Sequence, residues 1–157
     1  MLGQLTIEEI DLLLSRNLTG RIGCTDGSKV YIVPVSYAFN GTYIIAHSKE
    51  GMKISMMRQH PQICFQVDEI DNLTNWRSII LWGTYEEVID QKEKYYAMKF
   101  LIGHLMKQKT KVSETAGLAE MHHEMEYAHT GENTIRPIVY RIRIKEKTGR
   151  FEKQPVD

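Results

Sequence analysis

The spacing of apolar residues changes several times along this chain, and each change predicts a boundary. Ile7, Ile10, Leu13 and Leu14 recur at helical spacing. Thr6 and Glu9 frame their start as a capping box, with the hydroxyl placed to accept the N–H of Glu9 and the carboxylate able to reach back. A short amphipathic helix to about Ser15 is expected, with those four apolar residues inward. From Leu18 the pattern turns to strand: 18–25, a turn at Asp26-Gly27-Ser28, then 30–39. Asn40-Gly41 is a two-residue hairpin signal, so 42–46 should pair back. A brief helix is expected over 51–59, with Ile54 and Met57 inward, and Pro61 stops it. Strand resumes over 62–67, a polar loop is expected over 68–75, and 76–89 is the longest strand candidate. Gly83 near its middle predicts a bulge or bend. Residues 91–106 return to the helical period through Tyr95, Met98, Leu101, Ile102 and Leu105. A further helix is expected over 114–127, a loop over 130–133 and a closing strand over 138–144. The polar tail from about 149 should fray.

Mostly antiparallel strands with helices at the edges predict an α+β fold built on a small barrel. The strands do not alternate with helices, which argues against a Rossmann sheet. No internal repeat or low-complexity tract divides the chain, so a single domain over 1–157 is expected.

Composition narrows the function. The chain has 157 residues, enough for one domain with a real core. Lys plus Arg and Asp plus Glu both number 20, so no face is forced to be basic and nucleic acid is not an expected partner. Lys107, Lys109 and Lys111 read as a helix end in solvent. The longest apolar run, 79–82, is far too short to cross a bilayer as a helix, and no secretory signal is visible, so a cytoplasmic protein without a membrane partner is expected. Cys24 and Cys64 sit among β-forming residues without a CxxC partner and read as buried reduced thiols.

Two polar clusters carry the candidate chemistry. His47-Ser48 is followed by Gly51 and Lys53 at a helix start, where a hydroxyl, bare backbone N–H groups and an ammonium suit a phosphate. Lys53 lies against the helix dipole, which a nearby anion would explain. Ser48 as a plain N-cap is the competing reading. Trp76-Arg77-Ser78 opens the long strand; Trp76 and Ser78 share a face where a flat ring could lie, and Arg77 takes the other. A lone Trp there is equally a core or interface aromatic. Pro34 cannot donate to a ladder, so it marks either a ligand site or a plain edge strand. Arg58 reads as paired or solvated on the surface. His122, His123 and His129 lie near Glu120, Glu124 and Glu126, but the spacing is neither HxxxH nor HExxH, so no metal site is expected. No nucleophile–base pair is recognisable, and no catalytic residue is assigned.

In order and spacing, Gly20-Arg21-Ile22-Gly23, Pro34-Val35-Ser36-Tyr37, His47-Ser48 with Gly51 and Lys53, Arg58 with His60-Pro61, 64–68, Trp76-Arg77-Ser78-Ile79, Gly83 and Thr148-Gly149-Arg150 resemble the flavin-binding split-barrel family. That family includes the pyridoxamine 5'-phosphate oxidases and the Nim-type nitroimidazole-resistance reductases. The resemblance implies a homodimer with one FMN in each of two clefts at the subunit interface. It implies that Pro34, Val35, Ser36 and Tyr37 line the isoalloxazine, largely through backbone groups. His47, Ser48 and Lys53 would surround the ribityl phosphate, and Trp76, Arg77 and Ser78 would approach from the partner. The implied activity is an FMN-dependent oxidoreductase of the Nim-like branch, passing electrons from a reduced donor such as NAD(P)H to a small oxidised acceptor, nitro compounds included. The basic residues that hold the substrate phosphate in pyridoxamine phosphate oxidases have no counterpart, so that activity is not expected. A flavin-binding storage or sensor protein and a haem-binding relative are the alternatives.

Overall fold

In the computed structural model, which describes residues 1–107 and 137–155, eight strands form one antiparallel sheet accompanied by three helices. The elements are β1 (Leu2–Gln4), α1 (Ile7–Arg16), β2 (Thr19–Thr25), β3 (Val30–Ser36), β4 (Ala38–Phe39), β5 (Tyr43–Ser48), α2 (Met52–Gln59), β6 (Gln62–Asn72), β7 (Asn75–Glu87), α3 (Gln91–Lys107) and β8 (Ile138–Glu152). Across the sheet the order is β3-β2-β6-β7-β8-β5-β4, with β1 on the far flank of β8. The expected helix over 114–127, the loop over 130–133 and the three histidines at 122, 123 and 129 lie outside the described residues.

The local signals act as their chemistry dictates. Thr6 Oγ1 accepts from Glu9 N, and Thr6 N donates to Glu9 Oε2, closing both halves of the capping box. Ile10, Leu13 and Leu14 are buried as expected, but Ile7 is exposed because the helix turns its first residue outward. Gly27 and Gly41 both sit at φ +96, where a side chain would be strained, and each occupies the turn its sequence announces. Asn40 Oδ1 accepts from Thr42 N and Tyr43 N and locks the second hairpin.

Four expectations are corrected. The 30–39 run is not one strand: the chain changes partners at Tyr37, so β3 pairs with β2 and β4 pairs with β5. Residues 68–75 are not a loop but the end of a long hairpin. Asp68 and Glu69 are held there by arginines, and Asn72 Oδ1 accepts from Thr74 N to tighten the two-residue turn. The closing strand does not stop at 144 or fray from 149; it runs to Glu152. β7 flanks it on one side, and β1, which the sequence reading did not anticipate, flanks its end on the other. Finally, Cys64 is only half-buried, on the outward face, whereas Cys24 is buried; both are free thiols.

The bulge at Gly83 is present, where the β7–β8 register shifts between Trp82 and Gly83. Inside the curl of the sheet, Ile22, Phe65, Val67, Ile79, Leu81 and Ile142 pack with α1 and with Ile54, Met56 and Met57 of α2. A second cluster places Met98, Leu101, Ile102 and Leu105 of α3 against Ala38, Ile45 and Val139. The sheet does not close. β3 ends the strand order, and it approaches β5 without pairing to it.

Candidate functional site

The opening between β3 and β5 brings two of the sequence clusters to facing lips. β4 pairs Ala38 with Ile45 and Phe39 with Ile44. Carried two residues further, that register would set Ser36 opposite His47, but no pairing forms among the described residues and the strands part. On the β3 lip, alternation turns Pro34 and Ser36 outward and Val35 inward. Tyr37 is wholly buried: its backbone N donates to Leu18 O at 3.0 Å, its hydroxyl to Leu14 O at 2.7 Å, and its ring meets Phe65 edge-on at 5.1 Å. Burial pushes its pKa well up. The Tyr37 side chain is therefore structural, and any ligand contact on this lip falls to Pro34, Ser36 and the strand's unpaired edge. That edge also vindicates the plain reading of Pro34, which sits on an edge strand.

The other lip carries His47 and Ser48, both half-buried at the end of β5. Ser48 is not the helix cap, because its hydroxyl donates to Lys49 O at 2.8 Å. Gly51 stands at the N-cap of α2, no side chain bonds the first N–H groups, and the first turn holds no acidic residue. A helix start of this kind presents unpaired N–H groups and the positive end of its dipole. Lys53 lies in that first turn, half-buried, with no carboxylate within ion-pair distance among the described residues. Burial pushes its pKa below that of an ordinary lysine, with the nearby Cys24 a smaller opposing influence. Arg58, in the last turn of the same helix, is a contrast: it is bonded to Glu87 at 2.8 Å and to Glu50 at 3.0 Å, which leaves it to the surface as expected. An uncompensated ammonium at an uncapped helix start is an anion-binding arrangement.

Trp76, Arg77 and Ser78 lie elsewhere in the same chain, at the far end of the β6–β7 hairpin. Trp76 Nε1 donates to Glu152 Oε2 at 3.0 Å, Arg77 faces Glu69 at 3.9 Å, and Ser78 Oγ accepts from Gln66 Nε2 at 3.3 Å. The register runs Pro34, Arg21, Gln66 and Ile80 across neighbouring strands, so two strands separate β7, and Ser78 with it, from the β3 lip. Within one chain, then, the third cluster does not join the first two.

To residues that the resemblance already included, the structure adds Val30 and Ile32. A pocket of about 590 Å³ on the outward face is lined by Arg21, Gly23, Val30, Ile32, Cys64 and Gln66, among others. Their signal was period-two alternation with apolar residues on the solvent side of β3, visible in Val30 and Ile32 but silent until the inward face was known.

The comparisons agree with this fold. The family model described as pyridoxamine 5'-phosphate oxidase matches residues 6–151. An uncharacterized protein of Rhizobium meliloti is 31% identical over 81 residues, which span 52% of this chain and 54% of that protein. The crystal structure of a FAD-binding protein from Mesorhizobium loti superposes with a TM-score of 0.73 at 26% identity, covering 98% of this chain and 99% of that one. A candidate 5-nitroimidazole antibiotic resistance protein from Bacteroides thetaiotaomicron gives 0.68 at 17% identity, covering 96% of this chain and 87% of that one, a likeness of fold. With nearly its full length matched and its sheet split in the same way, the chain belongs to the pyridoxamine 5'-phosphate oxidase family.

Proposed function

We propose that the protein binds FMN in the opening between β3 and β5 and serves as an FMN-dependent oxidoreductase of the nitroimidazole-resistance-like branch. The observation that carries this reading is the start of α2: bare N–H groups, no acidic neighbour in the first turn, and a half-buried Lys53 without a carboxylate partner among the described residues. Desolvating an ammonium costs free energy, and a bound phosphate offsets it. One helix start and one lysine match a single terminal phosphate, which favours FMN over the longer dinucleotide. Ser48 and His47 border the same spot, and Pro34 and Ser36 face it from the opposite lip.

FMN, when bound, supplies two-electron transfer; the protein binds it, orients it and shields it from water. Backbone groups on the free edge of β3 are suited to a polar ring edge, and the Tyr37 side chain anchors that lip to α1 through Leu14. We place the protein in the cytoplasm as a homodimer. In that arrangement the partner's copy of the β6–β7 hairpin would bring Trp76, Arg77 and Ser78 to the cleft that they do not reach within one chain.

The test is the visible spectrum of freshly purified protein, followed by FMN titration and anaerobic addition of NADH or NADPH. A flavin spectrum that bleaches with either nucleotide supports the reading. Bound FMN that neither nucleotide reduces points to the storage or sensor alternative, a haem-type spectrum points to the haem alternative, and no binding of either group overturns the site.

A further inference from the structure

Beside the opening, where α1 gives way to β2, a second pocket of about 650 Å³ is lined by Arg16, Thr19, Arg21, Asp68, Glu69 and Arg77. Its charges are unequally matched. Arg16 holds Glu69 with two parallel hydrogen bonds, Nε to Oε2 at 2.9 Å and Nη2 to Oε1. That fork leaves little of the carboxylate for Arg77, whose Nε stands 3.9 Å from Oε1. Arg21 is likewise loosely placed, 3.5 Å from Asp68 Oδ2 and 3.4 Å from Gln66 Oε1, while Asp68 accepts its short bond from Gln66 Nε2 at 2.7 Å. Burial would raise the Glu69 pKa, but Arg16 and Arg77 together outweigh it and hold the carboxyl below its ordinary value. Across the pocket, three guanidinium groups face two carboxylates.

We propose that this pocket binds a small organic carboxylate, gripped by Arg21 and Arg77. One monoanion balances the excess positive charge, whereas a phosphate dianion would overfill a site already holding Asp68 and Glu69. The guanidinium fork matches the two oxygens of a carboxylate, and the loosely engaged donors of Arg21 and Arg77 can turn to it without breaking the Arg16–Glu69 pair. Thr19 pairs with Ser36, so the pocket borders the β3 lip. In the proposed dimer Arg77 reaches the partner's cleft, so a carboxylate held there would lie beside that cleft as the anchored end of a substrate. That role rests on the flavin reading; the binding does not.

Titration of the intact protein with benzoate, followed by calorimetry and by the Nε–H signals of arginine in nitrogen-labelled protein, tests this directly. Benzoate should bind saturably and move the Arg21 and Arg77 signals, the neutral isostere benzamide should not, and inorganic phosphate should bind more weakly. Arg21→Gln and Arg77→Gln should each weaken benzoate about tenfold, and Arg21→Lys, which keeps the charge without the fork, should fall between. Circular dichroism of each variant confirms that the fold is retained. Absent saturation, equal binding of benzamide, tighter binding of phosphate, or Gln variants that bind like the parent would each overturn the proposal. FMN is titrated separately into the same samples, so a protein that takes benzoate but no flavin upholds the pocket and sinks only the flavin reading.

Discussion

Two buried tyrosines on the inner wall of the sheet carry opposite expectations. Tyr37 donates to Leu14 O, the carbonyl of a residue in the last turn of α1. Tyr37→Phe leaves that acceptor unsatisfied, and thermal or denaturant unfolding should show a loss of about 1–2 kcal/mol. Tyr140 is as deeply buried, but its hydroxyl has no hydrogen-bond partner among the described residues. Tyr140→Phe removes a desolvated polar group and should leave stability unchanged or raise it by up to about 1 kcal/mol; a clear loss would show that the hydroxyl is engaged. At the proposed cofactor site, Lys53→Ala should weaken FMN binding by about 1–3 kcal/mol, read by quenching of flavin fluorescence, and unchanged affinity removes Lys53 from the site. Asp26 provides a pH handle on the β2–β3 turn. Bonds from the backbone N–H groups of Lys29 and Ser28, and from the Ser28 hydroxyl, lower its pKa from 3.8 to about 2. The fold favours the ionised form, so this contribution is present above pH 3.8 and is lost as pH falls through about 2. A carboxyl-carbon NMR titration with its midpoint near 3.8 rather than 2 would show that the turn does not hold the charge.

At the scale of elements, what could be read from the sequence was whatever depends on neighbours in the chain. The capping box, the Asn40-Gly41 hairpin and the apolar stripe of α3 all express near-range chemistry, and all stand in the structure. What could not be read depends on partners far away in sequence. The carboxylates of Asp68 and Glu69 look like loop residues until Arg21 and Arg16 are brought beside them from β2 and α1. The polar end of β8 looks like a tail until β1 and β7 enclose it, and Leu5 N bonds Gly149 O at 2.9 Å. The site divides the same way: the uncapped start of α2 was visible in Gly51 and Lys53, whereas the arginine pocket exists only once four elements meet. Gly83 allows a direct test of the long-range part. A Cβ there would stand 2.5 Å from Arg143 O and 2.7 Å from Ile142 Cγ2, a backbone and a core group that cannot both yield. Gly83→Ala should therefore cost about 2 kcal/mol or more in unfolding experiments, and a neutral outcome would mean that the β7–β8 crossing relaxes freely.

For the molecule as a whole, the outward face of the sheet is the feature a lone chain does not explain. Val30 is 73% exposed, Ile32 65%, Trp82 41% and Ile80 37%. The register aligns Ile32, Gly23, Cys64 and Trp82 across four adjacent strands, so the apolar residues form a band rather than scattered points. Such a band beside a pocket suits the proposed dimer, in which a second copy of the chain would cover it while bringing its own β6–β7 hairpin toward the split. Trp82 is the large aromatic of the band, at its β7 end, and its replacement by a charge should cost the dimer at least about 2 kcal/mol. Trp82→Glu points to solvent in the separate chain, so its circular dichroism should match the parent. Sedimentation velocity should show the parent as a dimer and the variant shifted toward monomer, with FMN affinity falling in step because each cleft would lose its second wall. A variant that stays dimeric with parent affinity would place the interface elsewhere on the surface, and a monomer that keeps tight FMN binding would show that one chain suffices to hold the cofactor.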